Sequence, residues 1–185
     1  SSAQCTMSCG DINFSVNENC SGTVTADMIL EGNNNCPGPY TVDIYDENDN
    51  IIPTSPSVNE SHIGRTFTVR VTSVETGNHC WANMLVEDKM PPLVDCDTVV
   101  LNCYDMINYN EPAVSDNCSD TSEIEVTLLN EEVNTLDCDT NYIKEVIRTY
   151  QAVDGNGAVS QPCEKVFLLE RIDLDSVDFP EDQSI

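Results

Sequence analysis

The sequence predicts an all-β fold built as two tandem, disulfide-stapled β-sandwich modules. Three observations predict it: short runs that alternate apolar and polar residues, turns rich in Asn, Asp, Gly and Pro, and ten cysteines in 185 residues with no Cys-x-x-Cys pair.

Period-two runs come first. Ile12-Asn13-Phe14-Ser15-Val16, Tyr40-Thr41-Val42-Asp43-Ile44-Tyr45, Phe67-Thr68-Val69-Arg70-Val71 and Ile124-Glu125-Val126-Thr127-Leu128 each alternate. Such alternation puts one face against a core and one in water. Asp27-Met28-Ile29-Leu30 reads either as one helical turn capped by Thr25 or as strand. Long segments of 3.6-residue period are missing. Asp46-Glu47-Asn48-Asp49-Asn50 is a turn, and Asp154-Gly155-Asn156-Gly157 reads as a two-residue hairpin.

An internal repeat organises the chain. Val71 to Asn78 leads to Cys80 and then to Met84-Leu85-Val86-Glu87. Tyr150 to Asn156 leads to Cys163 and then to Val166-Phe167-Leu168-Leu169-Glu170. Each copy runs strand, Gly-Asn turn, cysteine, strand. The offset is roughly 80 residues, the length of a small sandwich module. Glu87-Asp88-Lys89-Met90-Pro91-Pro92 forms the connector, because two prolines end a strand and stiffen the chain beyond it. The expected domains are 1–90 and 91–172, with 173–185 a linker to a following module or a contact segment. Apolar residues make up 39% of the chain, little for one large core but enough for two small ones.

The cysteine pattern excludes zinc-ribbon and thioredoxin chemistry by spacing and leaves disulfides, which place the chain outside the cytosol. Five cysteines precede the connector (5, 9, 20, 36, 80) and five lie beyond it (96, 103, 118, 138, 163). Five is odd. Either one pair crosses the connector, or each half keeps a free thiol, or cysteines pair with neighbouring units. The expected pairs are Cys20–Cys36, Cys9–Cys80, Cys118–Cys138 and Cys103–Cys163. Closing a 16-residue loop would restrict the unfolded chain by about 3 kcal/mol in the loop-entropy model.

Charge narrows the function classes. Seven basic against 33 acidic residues leave a net charge of −26. That surface repels nucleic acid and acidic membranes. No run of 18 apolar residues offers a membrane span. The N-terminal residues carry no signal-peptide pattern, so an export signal is expected to be removed or to lie upstream.

Pro91-Pro92-Leu93-Val94-Asp95-Cys96, Asp116-Asn117-Cys118-Ser119 and Ala152-Val153-Asp154-Gly155-Asn156-Gly157 resemble the landmarks of hyalin-repeat (HYR-like) immunoglobulin-like modules. The last turn is shorter here than in that pattern. The first half is similar to a companion module found beside these in giant secreted surface proteins of Bacteroidota, through Glu18-Asn19-Cys20, Thr25 to Gly32, Thr76 to Trp81 and Val86 to Lys89. The resemblance implies an immunoglobulin-like sandwich, export by type IX secretion, and service as a structural repeat of a long extracellular filament or adhesive cell-surface appendage. The implied partners are copies of the chain or neighbouring repeats. The alternative is a Ca²⁺-dependent adhesin module that binds cell-surface glycans.

Catalysis finds little support in the residues. His62 and His79 are the only histidines, and neither lies near a Gly-x-Ser-x-Gly elbow. With 33 acids, chance carboxylate pairs are certain and carry no weight. No enzyme activity and no organic cofactor are expected.

Calcium is the better-supported ligand, because it takes oxygen donors and these abound. Asp46, Asn48 and Asn50 echo the first ligand positions of an EF-hand loop, but Ile51 stands in place of its glycine and no glutamate occupies the twelfth position. Asp116, Asn117 and Asp120 form a second acidic turn. Asp95, Asp97, Asp137 and Asp139 flank cysteines. Glu87 and Asp88 lie at the connector, where an ion would stiffen the joint by neutralising carboxylates from both sides. The bland alternative for each group is a solvated turn, which Asp and Asn favour anyway. Trp81, beside Cys80, is expected to be a core tryptophan packed on a disulfide, with a glycan-stacking platform as the lesser reading.

Overall fold

The computed structural model describes residues 5–102, 108–137 and 139–171. The chain is all-β apart from single helical turns, and its strands divide between two tandem sandwich modules.

The first module contains β1 (Ile12–Ser15), β2 (Ser21–Thr23), β3 (Tyr40–Tyr45), β4 (Ser57–Asn59), β5 (Thr66–Ser73) and β6 (His79–Glu87). A four-stranded sheet in the order β1-β6-β5-β3 packs with the β2–β4 pair. The second module contains β7 (Leu93–Asp95), β8 (Thr98–Leu101), β9 (Ala113–Ser115), β10 (Glu125–Thr135), β11 (Tyr142–Val153) and β12 (Cys163–Glu170). Its sheet runs β10-β11-β12-β8, accompanied by the β7–β9 pair. In both modules an early strand lies parallel to the last one: β1 on β6, and β8 on β12. The repeated segments seen in the sequence are β5–turn–β6 and β11–turn–β12.

Alternation explains the first core. Along β5, Phe67, Val69 and Val71 are buried while Thr68, Arg70 and Thr72 face outward. With Phe14, Val16, Ile29, Ile44, Val58, Met84 and Val86 they form one apolar cluster. Each such side chain contributes about 1.5–3 kcal/mol by leaving water. In the second module Val146, Tyr150, Ala152, Phe167 and Leu169 turn inward from β11 and β12.

One local element takes the first of its two expected forms, and another differs from expectation. Residues 26–29 form one helical turn, α1 (Ala26–Ile29), which buries Ile29; Thr25 holds the cap position but its side chain makes no capping bond. The turn at Asp154 is longer than two residues. Asp154 N–H donates to the Ala158 carbonyl at 3.1 Å, and Gly157 takes the left-handed conformation (φ 90°) that a three-residue loop requires.

The disulfides redraw the expected connectivity. Cys5 bonds Cys36, Cys9 bonds Cys80, Cys20 bonds Cys118, and Cys96 bonds Cys163. Cys20–Cys36 is therefore wrong. The segment after Cys5 is held beside residues 34–35 by Thr6 N–H and Ser8 N–H donating to the Asn35 and Asn34 side chains, which leaves Cys5 against Cys36. Cys118–Cys138 is wrong because Cys20, in a turn with φ 52°, meets Cys118 across the connector. Cys103–Cys163 is wrong because β12 begins beside the end of β7, which brings Cys163 to Cys96. Cys103 and Cys138 lie outside the described residues, as do residues 172–185. Spacing carries loop entropy but not the direction of a Cβ, and direction decides which sulfurs meet.

Candidate cation site at the module junction

The last residue of β6 is Glu87, and the chain leaves the first module at Asp88. The β9–β10 connection of the second module carries Asp116, and its β11–β12 loop starts at Asp154. These three carboxylates converge: one oxygen from each lies within 4.8 Å of the others.

Each aspartate divides its two oxygens in the same way. Asp88 Oδ1 accepts the Met90 N–H at 3.0 Å. Asp116 Oδ2 accepts the N–H groups of Cys118 and Ser119, both at 2.8 Å. Asp154 Oδ1 accepts those of Asn156 and Ala158, at 2.9 and 2.8 Å. Short Asx turns thus fix all three side chains. The second oxygens, Asp88 Oδ2, Asp116 Oδ1 and Asp154 Oδ2, are buried and accept no hydrogen bond. Asp88 and Asp154 are only 6% and 5% exposed.

The electrostatics of the group are unfavourable in isolation. Burial pushes the Asp88 carboxyl above its ordinary value; the Met90 N–H opposes this, and the charges of Asp116 and Asp154 add to it. Among the described residues no Lys or Arg forms an ion pair with any of the three, and Lys89 turns to Glu87 at 2.8 Å. Buried carboxylates left unpaired are costly, and a metal ion relieves that cost. An ion with oxygen contacts of about 2.4 Å spans the observed separations, which suits Ca²⁺. The three oxygens would supply part of its 6–8 ligands, with carbonyls, amides or water completing the set.

The turn at Asp46 makes a useful contrast. Its Oδ1 accepts Asn48 N–H and Asn50 N–H, both at 2.9 Å, and Asp49 takes φ 61° where Gly157 takes φ 90°. The geometry is that of the Asp154 turn, but among the described residues no cluster of carboxylates forms around it. The Asn50 N–H holds the Asp46 carboxyl below its usual value. Asp46, Asn48 and Asn50 thus form a self-satisfied turn. Asp120 caps a 3₁₀ turn through the Ser122 N–H at 2.9 Å and is exposed. Asp97 pairs with Lys165 at 3.1 Å. Of the candidate ligands read from the sequence, the structure brings together Asp88 and Asp116. It adds Asp154, legible beforehand only as a turn residue.

The outer face of the β1-β6-β5-β3 sheet carries the second feature. Trp81 is 47% exposed and not in the core. The cause is register: Ala82, Met84 and Val86 point inward, so Trp81 must point outward. Opposite it on β5, the Arg70 guanidinium lies 5.4 Å from the Trp81 ring and 5.2 Å from the Tyr45 ring, and pairs with Asp43 at 2.6 Å. His79 meets Trp81 edge-on at 5.9 Å. The other histidine, His62, is buried, and its Nδ1 accepts the Asn59 N–H at 3.0 Å. Among the described residues no helix is long and apolar enough to cross a membrane.

No protein-family model and no curated protein matches the chain. Solved structures resemble it at low identity. Human protocadherin-24 EC1-2 (form II) aligns over 91% of this chain and 99% of its own, with 10% identity and TM-score 0.37. Drosophila N-cadherin EC1-3 aligns over 88% of this chain and 65% of its own, with 14% identity and TM-score 0.38. The protocadherin gamma B4 extracellular domain aligns over 91% and 32%, with 14% identity and TM-score 0.31.

Proposed function

We propose that the chain is a non-catalytic structural unit of an extracellular filament or adhesive surface appendage, whose two modules are held in one orientation by a covalent and an ionic lock. The observation that carries this reading is the junction itself. Cys20–Cys118 joins the modules, and Asp88 meets Asp116 and Asp154 beside it. The ion is Ca²⁺, chosen by the all-oxygen donor set. Four disulfides among the described residues favour an oxidising, extracellular setting, in keeping with the resemblance to secreted HYR-like repeats. The high negative charge keeps such an assembly soluble, and partners are copies of the chain or neighbouring repeats.

Negative-stain microscopy of material shed from the native cell tests the filament role. Regular fibres labelled by antibody to this chain support it, and dispersed monomers contradict it. A second reading, Ca²⁺-dependent glycan binding, rests on the exposed Trp81 beside Tyr45, Arg70 and Asp43. Aromatic rings with flanking hydrogen-bonding groups suit sugar faces and hydroxyls. Binding on a glycan array that is lost in Trp81→Ala would favour it.

A further inference from the structure

We infer that the Cys20–Cys118 disulfide sets the affinity of the carboxylate site, so that thiol reduction and cation release are one coupled event. This deepens the proposed function and rests on the cation reading of the Asp88, Asp116 and Asp154 cluster.

The coupling arises from how the site is assembled. Asp88 leaves the first module, whereas Asp116 and Asp154 belong to the second. No single module owns the cage. Asp116 sits two residues before Cys118, and its Oδ2 accepts the Cys118 N–H at 2.8 Å. The Asn117 side chain reaches back across the boundary, its amide donating to the Asn17 carbonyl at 3.0 Å. Asn17 in turn shapes the Cys20 turn: its carbonyl accepts the Cys20 N–H at 2.9 Å, and its Oδ1 accepts the Asn19 N–H at 2.9 Å. One disulfide therefore clamps two turns, and the clamped turn of the second module carries a ligand.

With the bond intact, three like charges are held together at no further cost when the ion arrives. With the bond broken, their repulsion drives the modules apart, and an incoming ion must restore the arrangement first. Pre-organisation of this kind raises affinity without adding a contact. Linkage makes the effect reciprocal: bound ion must resist reduction by the factor that the bond adds to ion affinity. Cys20 is buried, but Cys118 is only partly so, which gives an attacking thiolate a route to the sulfur–sulfur bond. The step balances with a dithiol as reductant. It forms a mixed disulfide, then closes to its own cyclic disulfide, and its two electrons and two protons leave Cys20 and Cys118 as thiols.

The test uses the oxidised full chain and a Cys20→Ser/Cys118→Ser variant, each titrated with CaCl₂ by calorimetry. The expected result is one high-affinity Ca²⁺ in the oxidised chain and at least about tenfold weaker binding in the variant, within the usual range of coupling between sites. A second measurement needs only the unaltered chain. It is equilibrated in dithiothreitol redox buffers with CaCl₂ or with chelator, and Cys20 and Cys118 are followed by alkylation and mass spectrometry. Calcium should move their midpoint toward stronger reductant and leave Cys9–Cys80 unmoved. Equal affinity in both proteins, with a calcium-independent midpoint, overturns the coupling and leaves the cation site standing. No calcium binding by the oxidised chain overturns both.

Discussion

Cys20 and Cys118 occupy the same local context, an acid followed by Asn-Cys-Ser, and they are bonded to each other across the module boundary. The bond closes a loop of 98 residues that contains most of the first module, the connector and β7 to β9. In the loop-entropy model a cross-link of that span restricts the unfolded chain by about 4.7 kcal/mol. The other three disulfides among the described residues stay within their modules.

Removing the crossing bond should therefore uncouple the modules without dissolving either. Cys20→Ser/Cys118→Ser is expected to convert one calorimetric unfolding transition into two. Cys9→Ser/Cys80→Ser should instead lower the first module alone, by about 2–5 kcal/mol. A single, merely shifted transition in the first variant would speak against the junction as the coupling element.

Asp88→Asn should stabilise the calcium-free protein and abolish the further stabilisation that calcium adds. The amide keeps an oxygen for the Met90 N–H but removes one of three facing charges. In chelator the variant is expected to be more stable by up to about 3.5–4 kcal/mol, the scale of one like-charge contact at 4–4.8 Å and an effective dielectric near 20. In calcium it should lose the ligand-dependent stabilisation, about 2.7 kcal/mol for the parent chain when calcium stands at 100 times Kd. Urea unfolding in both buffers reads the sign in chelator and the calcium increment. Destabilisation in chelator would mean that the three charges are not repelling one another.

Acid should act through a different set of carboxyls. Backbone N–H groups hold Asp11, Asp46 and Asp120 below their ordinary value of 3.8; the donors are Asn83, Asn50 and Ser122 respectively. A carboxyl depressed in the folded state adds stability that is present above the unfolded value and lost as pH falls through the folded one. Asp88 has the opposite sign, since its raised folded pKa makes its ionisation a cost that grows as pH rises through it. Between pH 5 and 2, Asp46→Asn should flatten the fall in urea midpoint while leaving the calcium response intact. A calcium response lost in Asp46→Asn would relocate the ion to that turn.

Trp81 is the only tryptophan, so its fluorescence reports one site. Its exposure predicts ready quenching by acrylamide in the folded protein. Trp81→Ala should cost less than about 2 kcal/mol, whereas Phe67→Ala, which empties a buried position, should cost about 3–5 kcal/mol. Shielded fluorescence would return Trp81 to the core.

The strands of the first module are legible in the sequence because their alternation is strict where one face is buried. Tyr40–Tyr45, expected as a strand, is one in full. β10 is legible only as far as Leu128. Beyond it most residues are exposed and the register shifts between Leu128 and Asn130, so no alternation marks the continuation. Trp81 departs from expectation because the phase of β6, and not the adjacent cysteine, decides where its ring points. The Cys20–Cys118 bond is present in the sequence only as a possibility, since an odd count on each side of the connector allows a crossing pair without naming it. Asp154 is hidden in the sequence because turn preference accounts for an aspartate there, and only tertiary packing gives it a buried oxygen without a partner, which Asp46 in the same kind of turn does not have.

Calorimetric titration of the oxidised chain with CaCl₂, beside Asp154→Asn, tests the junction most directly. One site per chain that disappears in the variant is the predicted result. Absence of binding to the parent chain, or undiminished binding to Asp154→Asn, would contradict it.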